Sequence, residues 1–168
     1  MNIEENEETR GSLQEKTRAH YDETPFDFLT KNDERDIETA QPKPFLEFVN
    51  YYLRDGDKVA DIGCGPGRAT MFLVQRGYKV TALDISEASI ASARKRAPEA
   101  AFFQGSNLEL PFVDGEFDAV VSDGVIHHTP DALRSLRENT RILKRGGYLF
   151  LAVYRREGYY YYVYTYLG

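Results

Sequence analysis

The chain has 168 residues and a formal net charge of −6, which fits one domain and excludes a nucleic-acid backbone as the main partner, because phosphate binding needs clustered Lys and Arg. No stretch is long and apolar enough to span a bilayer, and the acidic N-terminus lacks the basic start and apolar run of a signal peptide. The single cysteine, Cys64, excludes an intrachain disulfide, and we expect a cytoplasmic protein.

The N-terminal part of the chain is polar and carries two predicted helices. Residues 1–11 are charged and have no apolar period, which is typical of disorder. A capping box that starts at Ser12 predicts a short helix over 13–21, and the chain is then irregular up to residue 41. A second helix opens at Pro42, with apolar residues close to helical spacing.

From residue 58 onward, short apolar strands alternate with helices. Strands are predicted over 58–62, 79–83, 101–104, 117–122 and 148–154. Helices are predicted over 69–76, over 86–97 and from Asp131 to about Lys144, with Gly146-Gly147 as the last C-terminal turn. Short connections imply right-handed crossovers. The predicted fold is therefore α/β, a Rossmann-like doubly wound, mostly parallel sheet of five strands with helices on both faces.

The strongest local signal is the segment Asp61-Ile62-Gly63-Cys64-Gly65-Pro66-Gly67, where a strand runs into three alternating glycines before a helix. A side chain at any of these glycines would keep a ligand from the backbone, and the exposed N–H groups suit an anionic group. Ligands of open α/β sheets bind at the carboxyl ends of strands, where this loop lies. Taken alone the signal is weak, because a simple tight turn also explains it.

Two acidic residues narrow the kind of ligand. Asp84 ends the next strand, 17 residues after Gly67, where a carboxylate can accept hydrogen bonds from ribose hydroxyls. Asp61 lies beside the glycine loop, where it would repel a pyrophosphate but attract a ligand that carries an ammonium and a sulfonium. The spacing Gly-x-Gly-x-Gly also departs from the dinucleotide pattern Gly-x-Gly-x-x-Gly. Asp84 suits both kinds of cofactor, whereas Asp61 and the glycine spacing favour S-adenosylmethionine over a nicotinamide dinucleotide.

Five segments follow one another in order: Asp61–Gly67, Ala82–Ser86, Leu110–Asp118, Gly124–His128 and Leu143–Gly147. Together they resemble the successive motifs of class I S-adenosylmethionine-dependent methyltransferases, and most of all the subgroup of ubiquinone and menaquinone biosynthesis methyltransferases. The resemblance implies methyl transfer to a small-molecule acceptor that is apolar or aromatic. With the resemblance running from about residue 40 to 155, we expect an S-adenosylmethionine-binding domain over 42–156. A flexible or cover segment over 1–41 precedes it, and a tail over 157–168, rich in tyrosine, follows it.

The resemblance gives roles to particular residues. The methionine part of the cofactor would be held by Asp61, Gly63, Cys64, Gly65 and Gly67, the ribose by Asp84, and the adenine would pack against Ile85. Where the family often has an acid, this chain has Ser106 followed by Asn107, and the Ser106 hydroxyl or the Asn107 carbonyl oxygen would meet the adenine amino group. Ser122, Asp123 and Gly124, which follow the fourth strand, would lie beside the transferred methyl.

Two adjacent histidines, His127 and His128, suggest a metal site or a catalytic base. In an extended stretch their side chains point to opposite faces, and no further Cys or His cluster supports zinc, so no metal is expected. His128 remains the candidate base, against the alternative that one histidine packs or caps the helix at Asp131. Cys64 lies between two glycines without an obvious base, which favours a small loop residue over a nucleophile.

Both ends of the chain carry aromatic residues that need burial. We expect the segment with His20, Tyr21, Phe26 and Phe28 to fold over the cofactor, because N-terminal helices often close the site in the resembling family. Family members usually add two strands after the fifth, so 148–154 is expected to be a sheet edge, and we expect self-association through this edge or the tail, as a homodimer or as aggregation. The alternative is a tail that folds back on its own domain.

Two rival functions stay open at this point. The first is a non-catalytic module that binds S-adenosylmethionine and serves as a regulatory or assembly partner. The second is a nicotinamide-dependent oxidoreductase, which Asp61 and the loop spacing disfavour.

Overall fold

The computed structural model describes residues 3–24, 36–154 and 160–166. The helices are α1 (Ile3–Glu23), α2 (Lys43–Tyr52), α3 (Arg68–Gln75), α4 (Glu87–Arg96) and α5 (Ala132–Arg141), and a 3-10 turn covers Ile126–His128. The strands are β1 (Lys58–Ile62), β2 (Lys79–Asp84), β3 (Ala101–Gln104), β4 (Phe117–Asp123), β5 (Leu143–Tyr154) and β6 (Tyr160–Tyr166).

The strands form one sheet in the order β3-β2-β1-β4-β5-β6. Strands β1 to β5 run parallel to one another, and β6 pairs antiparallel with β5. The order reverses between β1 and β4, since β2 and β3 lie on one side of β1 and the later strands on the other. The predicted doubly wound α/β fold with five parallel strands is confirmed, and the chain adds a sixth strand.

Alternation along the strands divides the core between the two faces of the sheet. On β4, Ala119 and Val121 belong to the cluster that packs α2 and α3, whereas Val120 belongs to a second cluster. That second cluster lies against Leu136 of α5. Strands that are buried on both faces have nearly continuous apolar sequences, and this allows β1, β2 and β4 to be predicted from the sequence.

Two predicted helix boundaries differ from the structure. Helix α1 begins at Ile3 instead of residue 13, so residues that look disordered in sequence are helical. Helix α5 ends at Arg141 instead of near Lys144, because Lys144 already belongs to β5, where its Nζ lies 2.6 Å from Asp118 Oδ1. The expected helix-ending turn at Gly146-Gly147 is instead part of β5, beside a shift in the pairing register with β4.

The prediction that β5 forms the margin of the sheet is wrong. Seven residues of β6 pair with it, from Tyr148↔Tyr166 to Tyr154↔Tyr160. The backbone of the tyrosine-rich segment therefore folds back as a strand, which was the alternative to an exposed β5.

Candidate functional site

A cavity of about 860 Å³ opens at the carboxyl ends of β1, β2 and β4. It lies at the point where the strand order reverses, which is where open α/β sheets bind ligands. The last residues of two of these strands, Asp84 and Asp123, line the cavity together with Asp61 near the end of β1. The fold thus directs three carboxylates into one space.

The three glycines of the loop have different reasons to be glycine. All have positive φ, at +77° for Gly63, +52° for Gly65 and +93° for Gly67. A Cβ on Gly63 would come within 2.4 Å of the Val125 side chain, and one on Gly67 within 2.8 Å of Ala93 Cβ in α4. A Cβ on Gly65 would meet nothing within 4 Å, and Gly65 lines the cavity. Only at Gly65 is the expected free space for a ligand present; Gly67 does not line the cavity and instead lets α3 and α4 approach.

The carboxylate of Asp84 holds the glycine loop in place. Its Oδ2 accepts a hydrogen bond from the Gly65 N–H at 2.8 Å, and its Oδ1 accepts one from the Ser86 N–H at 2.9 Å. Burial raises the pKa of Asp84, and these backbone N–H groups oppose that rise. The Ile85 N–H opposes this rise in pKa as well. A carboxylate has about four acceptor sites, so Asp84 can still accept a hydrogen bond from a ligand hydroxyl. Ile85, the next residue, also lines the cavity.

Asp61 is almost completely buried, at 2% exposure. The Thr70 hydroxyl donates a hydrogen bond to its Oδ2 at 2.5 Å. Burial raises the pKa of Asp61 to about 6, although the Thr70 hydroxyl and the Arg68 charge lower it. The carboxylate is therefore ionised at neutral pH but easily protonated, and a cationic ligand group would favour its charged form.

Sequence reasoning missed Arg68, and it placed Asp123 only as a residue beside the transferred methyl. The Arg68 Nη2 lies 2.5 Å from Asp123 Oδ2, and its Nη1 donates to Gln41 Oε1 at 2.9 Å. Both Arg68 and Asp123 line the cavity beside Asp61. One guanidinium between carboxylates matches the two charges of an α-amino acid. The only available signal was an arginine directly after the third glycine.

The opposite wall of the cavity comes from Gly105, Ser106, Asn107 and Leu108. The Ser106 hydroxyl oxygen accepts a hydrogen bond from the Leu108 N–H at 3.1 Å. The Asn107 Oδ1 already accepts a hydrogen bond from Asn139 Nδ2 at 2.8 Å. The oxygen that was expected to meet the adenine amino group is thus engaged by α5.

Of two other residues that were expected to contact the cofactor, Cys64 lies at the cavity and Ser122 does not. Cys64 lines the cavity, and burial raises the pKa of its thiol well above the ordinary value, which fits a loop residue and not a nucleophile. Ser122 is fully buried and does not line the cavity; its neighbour Asp123 does.

Helix α1 covers the cavity. Gln14, Thr17, His20 and Tyr21 line it, and the Ser86 hydroxyl donates a hydrogen bond to Asp22 Oδ1 at 2.6 Å. The structure thus places His20 and Tyr21 over the site as expected, while Phe26 and Phe28 lie outside the described residues.

His128 lines the cavity below this cover, with its ring centroid 6.3 Å from that of Tyr21. The expectation of an extended stretch is wrong, because the 3-10 turn brings the rings of His127 and His128 to 4.1 Å. Burial lowers the pKa of His128, with help from His20, and lowers that of His127 to about 4, with help from His128. Both imidazoles are therefore neutral near pH 7. The cap of α5 is Asp131 itself, which accepts from the Arg134 N–H at 2.9 Å.

Two features are absent from the described part of the chain. No three His, Cys, Asp or Glu side chains within it are grouped so that they could hold a metal ion. None of its helices is both long and apolar enough to cross a membrane.

Comparison with known proteins extends these observations. A family model described as a methyltransferase domain matches residues 60–151. A demethylmenaquinone methyltransferase of Beutenbergia cavernae is 34% identical over 99 residues, which cover 59% of this chain and 41% of that protein. A ubiquinone biosynthesis O-methyltransferase of Pseudomonas aeruginosa is 34% identical over 110 residues, which cover 61% of this chain and 46% of that protein.

The fold is also similar to that of a solved methyltransferase structure. A crystal structure of a SAM-dependent methyltransferase from Methanosarcina mazei superposes with a TM-score of 0.60 at 32% sequence identity. The match covers 64% of this chain and 57% of that one. The chain spans less than half the length of the two curated relatives named above.

Proposed function

This chain belongs to the class I S-adenosylmethionine-dependent methyltransferase family, and on that premise we propose that it moves a methyl group from S-adenosylmethionine to a small acceptor. The observation that carries the proposal is the set of charges at the sheet's switch point. Arg68 stands there among Asp61, Asp84 and Asp123, next to the open space at Gly65. These groups fit a ligand that combines an amino acid, a positive charge and a ribose.

The residues that would hold the cofactor follow from that chemistry. Arg68 is the partner for the carboxylate of the methionine part, and Asp61 for its ammonium. Asp84 would accept hydrogen bonds from the ribose hydroxyls, and Ile85 would pack against the adenine. The bound sulfonium supplies an already activated methyl group. The protein's own task is to align the acceptor and to exclude water, which the α1 cover over the cavity favours.

For the acceptor we propose a small aromatic or apolar molecule whose attacking group is a hydroxyl. The cavity wall beyond Asp123 offers rings and apolar side chains, including Tyr21, Val125 and Pro130. A neutral His128 is able to take the proton of a hydroxyl as that hydroxyl is methylated. The name of the Pseudomonas relative, an O-methyltransferase, supports the same chemistry. We also propose a cytoplasmic location, which suits the free thiol of Cys64.

The residues of the cavity do not favour either of the two rival functions. A nicotinamide dinucleotide would bring its pyrophosphate toward Asp61 and Asp123, which would repel it. A module that binds the cofactor without turnover would not need His128 beside the cover helix, but only a turnover measurement separates it from an enzyme.

Calorimetry with S-adenosylmethionine, S-adenosylhomocysteine and NAD tests the proposal. We expect the first two ligands to bind and NAD not to bind. Arg68→Gln should weaken binding at least tenfold, because a charged hydrogen-bonding partner is worth about 1.5–3 kcal/mol. Arg76→Gln, in an exposed ion pair with Glu38 just after α3, is the matched control. Binding of NAD alone would end the proposal.

Turnover is tested with a panel of phenols and other small hydroxyl compounds. His128→Gln should lose methyl transfer while it keeps cofactor affinity. Tight cofactor binding with no turnover on any acceptor would instead favour the non-catalytic module.

A further inference from the structure

Gln41, just before α2, is a polar side chain that is almost completely buried, at 6% exposure. Its Nε2 donates hydrogen bonds to the Ile37 carbonyl at 3.0 Å and to the Arg68 carbonyl at 3.3 Å. Backbone carbonyls only accept hydrogen bonds, so the amide nitrogen of Gln41, and not its oxygen, must face them. The orientation of the amide is thus fixed, and its oxygen is left to face a donor.

That donor is the guanidinium of Arg68. Its Nη1 donates to Gln41 Oε1 at 2.9 Å and lies 3.5 Å from the Ala40 carbonyl oxygen. One amide therefore contacts both the backbone carbonyl and the side-chain end of Arg68. The other terminal nitrogen, Nη2, lies 2.5 Å from Asp123 Oδ2. Because a guanidinium is planar, contacts to both terminal nitrogens fix its plane as well as its position.

The short segment that carries Gln41 is itself packed in place. Ile37 is 4% exposed and belongs to the core cluster that packs α2 and α3. The Gln41 N–H donates to the Glu38 carbonyl at 3.1 Å, and the Thr39 hydroxyl donates to the Asp36 carbonyl at 2.9 Å. This segment lies outside residues 60–151, which match the methyltransferase family model. Gln41 thus reaches a residue of the site from a well-anchored position outside the matched region.

The guanidinium that Gln41 holds is still open to a ligand. Arg68 lines the cavity, and its side chain is 32% exposed. A guanidinium has more N–H groups than these contacts occupy, so donors remain for an incoming carboxylate. A side chain that is already held loses little conformational freedom when a ligand binds, and such preorganisation increases affinity. Without Gln41, Asp123 would be left to compete with the ligand carboxylate for a mobile arginine.

We propose that Gln41 is a positioning residue, which holds the Arg68 guanidinium in place for the carboxylate of the cofactor's amino-acid part. The inference rests on the proposed function, in which Arg68 binds that carboxylate. Gln41 does not line the cavity, so its effect on the ligand passes through Arg68. The preference of the chain for a cofactor that carries this carboxylate therefore depends on a buried amide behind the cavity wall.

The test compares S-adenosylhomocysteine with its decarboxylated analogue, which lacks only the α-carboxylate. By calorimetry, the unaltered chain should bind the parent about tenfold more tightly, because a hydrogen bond to a charged group is lost in the analogue. Gln41→Leu should lower this ratio of affinities about threefold to tenfold, since Arg68 loses its fixed partner. Gln75→Leu, the same change at an exposed position of α3, is the control and should leave the ratio unchanged.

A second background separates positioning from a general effect on the fold. If Gln41 acts through Arg68, the addition of Gln41→Leu to Arg68→Gln should leave the ratio of Arg68→Gln unchanged. A merely structural role would weaken both ligands equally in Gln41→Leu and keep the ratio, which would overturn the assignment. If Gln41→Leu does not fold, Gln41→Asn takes its place with the same expectations, because it keeps the amide but is shorter by a methylene.

Equal affinity of the unaltered chain for the two ligands would overturn the inference while the proposed function stands. A chain that does not bind S-adenosylhomocysteine at all would overturn both.

Discussion

Asp61 links the protonation of one buried carboxyl to the stability of the domain. Its pKa is raised from 3.8 to about 6, chiefly by burial, so the folded chain binds the proton more tightly than the unfolded chain. The free energy of unfolding should therefore fall as pH rises from about 4 to about 6 and change little through this group above pH 7. By the worth of a pKa shift, the charged form costs about 3 kcal/mol at pH 8.

Urea unfolding at pH 4 and pH 8 measures this. Asp61→Asn should remove that pH-dependent contribution, whereas Asp55→Asn, at an exposed position, should behave like the unaltered chain. Identical pH profiles for Asp61→Asn and the unaltered chain would contradict the assignment. Because a cofactor ammonium needs the charged carboxylate, cofactor affinity should weaken below about pH 6.

Gly65 should matter for binding far more than for folding. Gly65→Val would fill the open side of the loop and abolish cofactor binding, and its positive φ would cost some stability. Gly56→Val is the matched control, since Gly56 also has a positive φ, at +83°, with nothing within 4 Å of an added Cβ. Calorimetry and urea unfolding of both variants separate the two effects. Equal loss of binding in both would mean that only the strain matters.

Some of these site residues could be read from sequence and others could not. Asp84 ends an apolar strand and Asp61 is the next-to-last residue of another, and the rule for open sheets places strand ends at the ligand. The role of Arg68 depends on Asp123, which is 55 positions away, and the orientation of Asn107 depends on Asn139, 32 positions away. No local pattern reports which distant side chain a residue will meet. Hence the sequence prediction assigned the Asn107 carbonyl oxygen to the adenine amino group, whereas in the structure that oxygen accepts a hydrogen bond from Asn139 Nδ2.

Among the elements, α1 is tied to the strand-end region by a polar contact of Asp22. Asp22 accepts from the Ser86 hydroxyl, and the Ser86 N–H donates to Asp84. Asp22→Ala should therefore loosen the cover and raise the cofactor dissociation rate severalfold, with Glu23→Ala as an exposed neighbour for comparison. Stopped-flow displacement measures the rate. An unchanged rate in Asp22→Ala would mean that α1 lies over the site without retaining the ligand.

The helices and strands also differ in how accurately the sequence predicts them. The strands β1 and β3 match their predicted bounds, because an apolar run between breakers is a local signal. Helix α1 lacks an apolar stripe, so its N-terminal turns left no period to detect. The tyrosine-rich segment is compatible with helix or strand, and only its pairing with β5 decides for β6.

At the scale of the whole molecule, β6 protects the apolar strand β5 from the solvent edge of the sheet. A chain that ends at Arg156 should therefore lose stability and aggregate, because β5 would then present an unpaired edge. Light scattering and thermal unfolding of both chains measure this. Equal stability and equal size would show that β6 contributes nothing. A homodimer through this edge stays a prediction, now carried by β6 instead of β5.

The strand order affects the order in which the parts of the sheet can fold. The central strand β1 needs β4 on one side, and the Lys58 N–H donates to Asp118 across 60 positions of sequence. Strands β1, β2 and β3 can pair as they leave the ribosome, but that half-sheet lacks Asp123 and one flank of the cavity. Closing so long a loop is a slow step, because its entropy must be lost before the contacts form. During synthesis, β1, β2 and β3 therefore form first, and β4 and the later strands are added on the other side of β1. The chain can bind its ligand only after this second half of the sheet has formed.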